Sequence, residues 1–358
     1  MKIAVDCRMS GKSGIGAFID GILPYFVKSN NELLLIGLTE NKIPDTLKNI
    51  KISDYKIQFS SCDVKTFSLK ELLFFPKNIS KKINKCDFYF TPYCNIPSGI
   101  KIPIFSTIHD IVFLDIPGLS SGIGTFIRKC FYQYAIFRSK AIFTVSNFSA
   151  DRIKTKLLCN KPVYVVYSAL PEYLLTTNSD IKKDNTIIFI GNIKKHKGFS
   201  TLLPAFQKFN EELKNNNKKT ARLIIVGSQE NFRTQDNSIT QLIQNTNSND
   251  IEFTGYISDK ELQEKLSKAK ILVQPSTYEG FGLPPLQALY CRTNTIISDI
   301  PVFKEIYEKF PVTYFETNNI NDLAEKMAQV WNNPESLEKI PDIYSFSKTT
   351  SLILSHLN

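Results

Sequence analysis

Short apolar runs recur along the whole chain, each closed by a polar or glycine-bearing turn and followed by a stretch of helical character. In the first half these are Met1 to Cys7, Leu33 to Leu38, Asp87 to Thr91, Ile104 to Ile108 and Ala141 to Val145. The second half repeats the rhythm with strands from Thr186, Ala221, Ile251, Ile271 and Thr295, and with helices from about Gly198 and from Asp259. Ser258, followed three residues later by Glu261, is a capping-box signature, and Leu262 and Leu266 then fall at helical spacing. Strands alternating with helices predict parallel sheets covered on both faces. Two successive sets predict two Rossmann-like domains facing across a cleft. Periodicity is lost between about Tyr167 and Asn185, so the expected division is 1–170, 171–340 and a last segment, 341–358.

The length fits this division, since 358 residues exceed one typical domain and suit two. With 42 % hydrophobic and 22 % charged residues the chain is ordinary for a globular protein. No run approaches the roughly 20 apolar residues of a membrane span, and MKIAVDCRMS reads as a strand rather than a signal peptide. A cytoplasmic protein is expected, free or at the inner face of the cell membrane. The seven cysteines are scattered without a CxxC pair, which predicts reduced, mostly buried thiols and no metal site built from them. A formal charge of +10 fits an anionic partner such as nucleotide phosphates, a membrane surface or nucleic acid, although a solvated lysine-rich surface gives the same total. Two segments, Phe67 to Lys85 and Phe126 to Lys140, interleave aromatics with basic residues. That mix suits lipid headgroups, and amphipathic core helices would carry it too.

Three turns carry candidate chemistry. Gly191-Asn192-Ile193-Lys194-Lys195-His196-Lys197-Gly198 joins a strand to a helix, so lysine charges and helix amides act on one point as an anion cradle. Pro275 to Ala288, PSTYEGFGLPPLQA, follows the run Ile271 to Val273 and opens a proline-started helix, with Glu279 and Gln287 at either end of its turn. His109 and Asp110 close the run Ile104 to Ile108; Asp110 would orient the imidazole or cap a helix. Ser146 reads as a structural helix start. The loop Ser10 to Gly16 is not a P-loop, because Asp6 stands where that motif needs its first glycine. It is not a dinucleotide fingerprint either, because Ile19 stands at the third glycine.

The PSTYEGFGLPPLQA run resembles the signature of the retaining nucleotide-sugar glycosyltransferases of family 4, which have the two-domain GT-B fold. The resemblance implies that Glu279 points toward the transferred sugar, and that the amides of Phe281, Gly282 and Leu283 lie near the phosphate or sugar. The family usually has glutamate at both ends of the seven-residue gap, the second holding the ribose hydroxyls. Gln287 can still accept one hydrogen bond and donate another, but lacks the charge, which implies weaker ribose binding. In the lysine-rich loop Lys197 matches the family's diphosphate lysine. Asn192 stands in place of its arginine, and Lys194 is the expected substitute cation. The resemblance further implies that His109 contacts the sugar's hydroxyls, that Gly255, Tyr256 and Ile257 hold the base through backbone atoms, that amides near Gly16 approach the donor phosphate or acceptor, and that the last helix, Tyr344 to Leu357, crosses back onto the first domain.

The expected function is transfer of a sugar from a GDP-, UDP- or dTDP-linked donor, with retention, to a glycan or lipid-linked saccharide in bacterial surface polysaccharide (O-antigen or capsule) synthesis. No cofactor beyond the donor substrate, no nucleic acid and no metal is expected. The sequence holds no Asp-x-Asp, so Lys197, Lys194 and helix amides would meet the departing phosphate's charge. The alternatives are a nucleotide-sugar epimerase or phosphorylase on the same plan, whose acid/base set or pyridoxal-binding lysine is not identifiable here, and a glycan- or membrane-binding relative that has lost catalysis, as Gln287 and Asn192 would allow.

Overall fold

The computed structural model describes residues 1–174, 181–227 and 250–357. Residues 175–180 of the polar linking stretch therefore lie outside the described residues. The chain divides into two compact units, Met1–Pro171 with Ile343–Asn358, and Glu172–Asp342.

In the first unit the described strands form one parallel sheet of seven: β1 (Lys2–Asp6), β2 (Glu32–Ile36), β3 (Ile57–Ser60), β4 (Phe88–Thr91), β5 (Ile104–Thr107), β6 (Ala141–Thr144) and β7 (Val163–Val165), in the order β3-β2-β1-β4-β5-β6-β7. Its central strands are apolar on both faces, as a sheet covered by helices on each side requires. The helices are α1 (Ser13–Val27), α2 (Leu69–Leu73), α3 (Lys77–Ile83), α4 (Val112–Asp115), α5 (Gly122–Arg138) and α6 (Asn147–Lys156). The unit is completed from the far end of the chain by Phe346–Ser355. The Phe346 ring occupies the space a side chain at Gly21 of α1 would need, 2.1 Å from the position of its Cβ, so only glycine permits this packing. Thr349 and Thr350 donate to the carbonyls of Tyr167 and Ile22, and His356 stacks on Tyr164 at 3.6 Å.

The second unit has a described parallel sheet of six: β8 (Thr186–Ile190), β9 (Arg222–Val226), β10 (Ile251–Gly255), β11 (Ile271–Gln274), β12 (Asn294–Ser298) and β13 (Thr313–Phe315), in the order β10-β9-β8-β11-β12-β13. Its described helices are α7 (Phe199–Asn215), α8 (Asp259–Lys268), α9 (Leu283–Tyr290), α10 (Pro301–Tyr307) and α11 (Ile320–Asn332), and the Phe346–Ser355 helix of the first unit is α12. The Ser258 capping box on α8 forms in both directions. Phe199, Leu202, Phe206 and Phe209 of α7 bury against Leu323 and Met327 of α11 over the sheet.

All seven cysteines are free thiols. Cys7, Cys86 and Cys291 are buried, Cys62, Cys94 and Cys159 half-buried and Cys130 exposed, so burial is less general than expected.

Candidate functional site

Both described sheets reverse their winding once, between β1 and β4 and between β8 and β11. In an open parallel sheet the loops leaving two such strands diverge and leave a crevice beyond their carboxyl ends, the usual place for a ligand. In the second unit these are the two loops that carry Lys197 and Glu279. The β8 loop turns through a short helical segment, Lys195–Lys197, and enters α7 at Gly198. Gly198 has φ +68°, and a Cβ there would lie 1.8 Å from the Pro275 carbonyl oxygen of the β11 loop, so two features of the site demand glycine. The Thr277 amide donates to the His196 carbonyl at 2.8 Å and ties the loops together.

Lys197 Nζ donates to Glu279 Oε1 at 2.7 Å, with the two side chains only 20 % and 11 % exposed. The Ser276 hydroxyl (2.7 Å) and the Gln274 amide (3.4 Å) donate to the same oxygen, and among the described residues Oε2 accepts no hydrogen bond. Burial pushes the Glu279 carboxyl up, but the Lys197 charge and these hydrogen bonds outweigh it and hold it below the ordinary range. Glu279 is therefore an ionised carboxylate with one oxygen anchored and the other open. His196, buried beside the pair, is held down at about 4 by burial and by the Lys197 charge, so it is a neutral imidazole, and its buried Nδ1 has no partner. Gln274 and Ser276 carry no motif of their own. Their signal is a polar residue closing the apolar run of β11 and a hydroxyl three residues before Glu279.

Unpartnered amides converge on the same edge. Gly282, at φ +85°, precedes α9, and a Cβ there would meet the Phe303 ring at 2.4 Å. Pro284 and Pro285 bring no N–H to the first turn of α9, and the Leu286 amide is taken by the Tyr307 hydroxyl, which itself donates to the Gly282 carbonyl. Among the described residues the amides of Gly282 and Leu283 have no acceptor, and the same holds for Phe199 and Ser200 at the start of α7. Two helix starts and a lysine thus present positive potential beside one oriented carboxylate, an arrangement suited to a phosphorylated ligand.

The remaining expected residues are placed as follows. Phe281 is buried, Asn192 exposed and Lys194 half-buried. Gln287 lies one turn into α9 and lines a small depression with Leu174, Leu262 and Leu266; among the described residues its side-chain amide makes no hydrogen bond. Gly255, at φ +70°, ends β10 and receives the Gly227 amide on its carbonyl, Tyr256 is 86 % exposed, and Ile257 packs toward α8. His109 and Gly16 belong to the first unit. His109 Nε2 lies 2.8 Å from the Pro92 carbonyl, its ring meets Phe18 edge-on, and burial holds its pKa at about 4. Asp110 accepts from the Val112 amide at the start of α4, and Ser146 caps α6. The Gly16 amide itself donates to the Lys12 carbonyl within the first turn of α1. The unpartnered amides of that turn are those of Ser13, Gly14 and Ile15.

Residues 177–342, nearly the whole second unit, match the family described as glycosyl transferases group 1. The second unit is a glycosyl transferases group 1 domain. The chain is 26 % identical over 246 residues to the O-antigen chain mannosyltransferase RfbU of Salmonella typhimurium, covering 67 % of this chain and 62 % of the relative. It is 27 % identical over 233 residues to O-antigen chain mannosyltransferase B of Escherichia coli, covering 61 % and 58 %. The matched part is thus less than two thirds of either relative's length. Among solved structures, the sucrose-phosphate synthase of Thermosynechococcus elongatus superposes with TM-score 0.69 at 14 % identity over 100 % of this chain and 95 % of its own. Anabaena HepE in complex with UDP and glucose gives 0.67 at 13 % identity, over 100 % and 96 %. These likenesses show the fold: two Rossmann-like parallel-sheet units of the GT-B class.

Proposed function

We propose that the chain is a glycosyltransferase that moves a sugar, a mannosyl group first among the candidates, from a nucleoside-diphosphate donor to a glycan or lipid-linked saccharide in bacterial surface polysaccharide synthesis. The observation that carries this reading is the Lys197–Glu279 pair set among unpartnered helix amides within a glycosyl transferases group 1 domain. The mannosyl choice follows the two O-antigen chain mannosyltransferases.

In this reading the donor's diphosphate takes the place beside Lys197, with the amides of Gly282 and Leu283 and the Lys194 ammonium as further partners. Glu279 stays anchored through Oε1 and offers Oε2 to a hydroxyl of the sugar. Gly255, Tyr256 and Ile257 meet the base through backbone atoms, and Gln287 holds the ribose with a neutral amide. His109 of the first unit, neutral over the physiological range with Nε2 donating to the Pro92 carbonyl, accepts a hydrogen bond from a sugar hydroxyl at Nδ1, and the α1 turn beside Gly16 meets the donor phosphate or the acceptor. Reaction breaks the bond from the anomeric carbon to the diphosphate oxygen and forms one to the acceptor oxygen. The acceptor's proton passes to the departing phosphate on the same face, so configuration is retained. Fixed charges and dipoles already in place stabilise the leaving phosphate without reorganisation, and the reaction needs no metal. The protein acts in the cytoplasm, at the inner face of the membrane when its acceptor is lipid-linked.

The test is product formation from GDP-, UDP- and dTDP-linked sugars with a lipid-linked saccharide acceptor in EDTA. One donor should be consumed with its nucleoside diphosphate released, and Glu279→Gln should lower turnover at least a hundredfold. No consumption of any donor by the folded protein removes the reading.

A further inference from the structure

Helix α5 is apolar on two faces. One buries Tyr132, Ala135 and Ile136 against the sheet. The other carries Ile123 (76 % exposed), Phe126 (66 %), Ile127 and Phe137 (76 %) into solvent. Their spacing, i, i+3, i+4 and i+14, places them on one stripe. Lone exposed apolar residues are ordinary, but a continuous face of them is a mark of contact. Leu69 and Leu73, one turn apart on α2, and Phe74 just after it are exposed as well. The chain beyond α2 is tied to α5, since Phe75, and Ile79 of α3, share a core cluster with Ala135 and, at its margin, Tyr134.

Along the two segments that carry these faces the exposed charge has one sign, with Asp63 and Asp87 just outside the second. From Gly118 to Lys140 the chain has two arginines, two lysines and no acid. From Val64 to Lys85 it has six lysines, all exposed, and a single acid. That acid, Glu71, is fully buried and paired with Arg8 at 2.6 Å, so it contributes nothing outside. Two copies of this surface would bring like charges together, whereas an anionic bilayer offers phosphate to the lysines and acyl chains to the aromatic and aliphatic tips.

We infer that the exposed faces of α5 and α2 seat the first unit on an anionic lipid surface, Ile123, Phe126, Ile127 and Phe137 entering the headgroup boundary and the flanking lysines meeting lipid phosphates. This surface is independent of the donor site and stands or falls without it.

The experiment is cosedimentation of the full chain with vesicles of phosphatidylglycerol and phosphatidylcholine in equal parts, and with vesicles of phosphatidylcholine alone. The chain should pellet with the first and remain in solution with the second. Phe126→Ser with Ile127→Ser should lower the bound fraction at least tenfold. Lys129→Glu with Lys140→Glu should do the same, because each basic residue near the surface supports binding. Both doubles should keep the parent's thermal midpoint and nucleotide affinity, since these side chains are exposed. Three results overturn the inference: no pelleting of the parent with anionic vesicles; undiminished pelleting of the Phe126→Ser, Ile127→Ser protein; or a dimer in sedimentation equilibrium that this double substitution dissociates, which would make the stripe a contact between copies.

Discussion

If Lys197 neutralises Glu279, replacing both should cost less than the two single replacements added together. Lys197→Met keeps the stem and removes the charge, leaving a carboxylate 11 % exposed with only Ser276 and Gln274 as partners. Exposed pairs are worth about 0–1 kcal/mol, and stranding one member of a fully buried pair costs about 3–5 kcal/mol. With the lysine 20 % exposed and two partners left on Oε1, the cost of Lys197→Met should be about 3 kcal/mol. Glu279→Gln, which keeps shape and hydrogen-bonding oxygen, should cost about 2 kcal/mol. The double variant should also cost about 3 kcal/mol, a coupling of about 2 kcal/mol. The chain's single tryptophan, Trp331, lies in α11 against Phe209, so its fluorescence reports the second unit alone. At a urea dependence of about 2 kcal/mol/M, Lys197→Met should lower the transition midpoint by about 1.5 M. Single-variant costs that add to within about 0.5 kcal/mol in the double would show that the two side chains do not act as a pair. An unmoved midpoint in Lys197→Met would refute the magnitude outright.

Gly198→Ala forces a side chain onto the Pro275 carbonyl at positive φ, and should cost the second unit at least about 3 kcal/mol in the same urea assay. His196 is held at about 4 in the fold against an ordinary value near 6.5, so the unfolded chain binds its proton first as pH falls. The second unit should therefore lose up to about 3 kcal/mol between pH 6.5 and 4 by Trp331 fluorescence, and His196→Gln should flatten that slope. Glu279, whose value is lowered, adds a further loss only below the ordinary carboxylate range, as pH falls through its folded value. In the first unit, Arg8→Met strands Asp6 and Glu71, both fully buried and each 2.6 Å from the guanidinium, and should lower stability by about 4 kcal/mol in calorimetric unfolding. Tyr307→Phe removes the hydroxyl that caps the Leu286 amide and should cost about 1–2 kcal/mol in urea unfolding, with weakened nucleotide binding as the start of α9 loosens.

The parallel two-sheet plan was legible because the central strands are short, nearly unbroken apolar runs, as strands covered on both faces require. The strands that escaped notice, β3, β7 and β13, are short edge or near-edge segments whose residues are mostly half-buried, so they lack a continuous apolar signal. Glu279 and Lys197 could be named from their motifs, but they are 82 residues apart, and no spacing within the sequence says that the ammonium meets the carboxylate. That contact depends on β8 and β11 being neighbours in the sheet. The parts of Gln274, Ser276 and Tyr307 have the same origin, since each acts on an atom fixed only by the fold. Gly16 shows the reverse: a glycine-rich turn was visible, but which of its amides a helix would consume depends on where α1 begins, and element ends are the least legible feature of a sequence.

The most direct test of the central claim is calorimetric titration of the full chain and of Lys197→Ala with UDP, GDP, dTDP and ADP in EDTA. The account predicts that one nucleoside diphosphate binds in preference to the others, and that Lys197→Ala weakens it at least tenfold while Trp331 reports a folded second unit. Equal affinity of the folded Lys197→Ala protein, or no binding of any diphosphate to the parent, would contradict it.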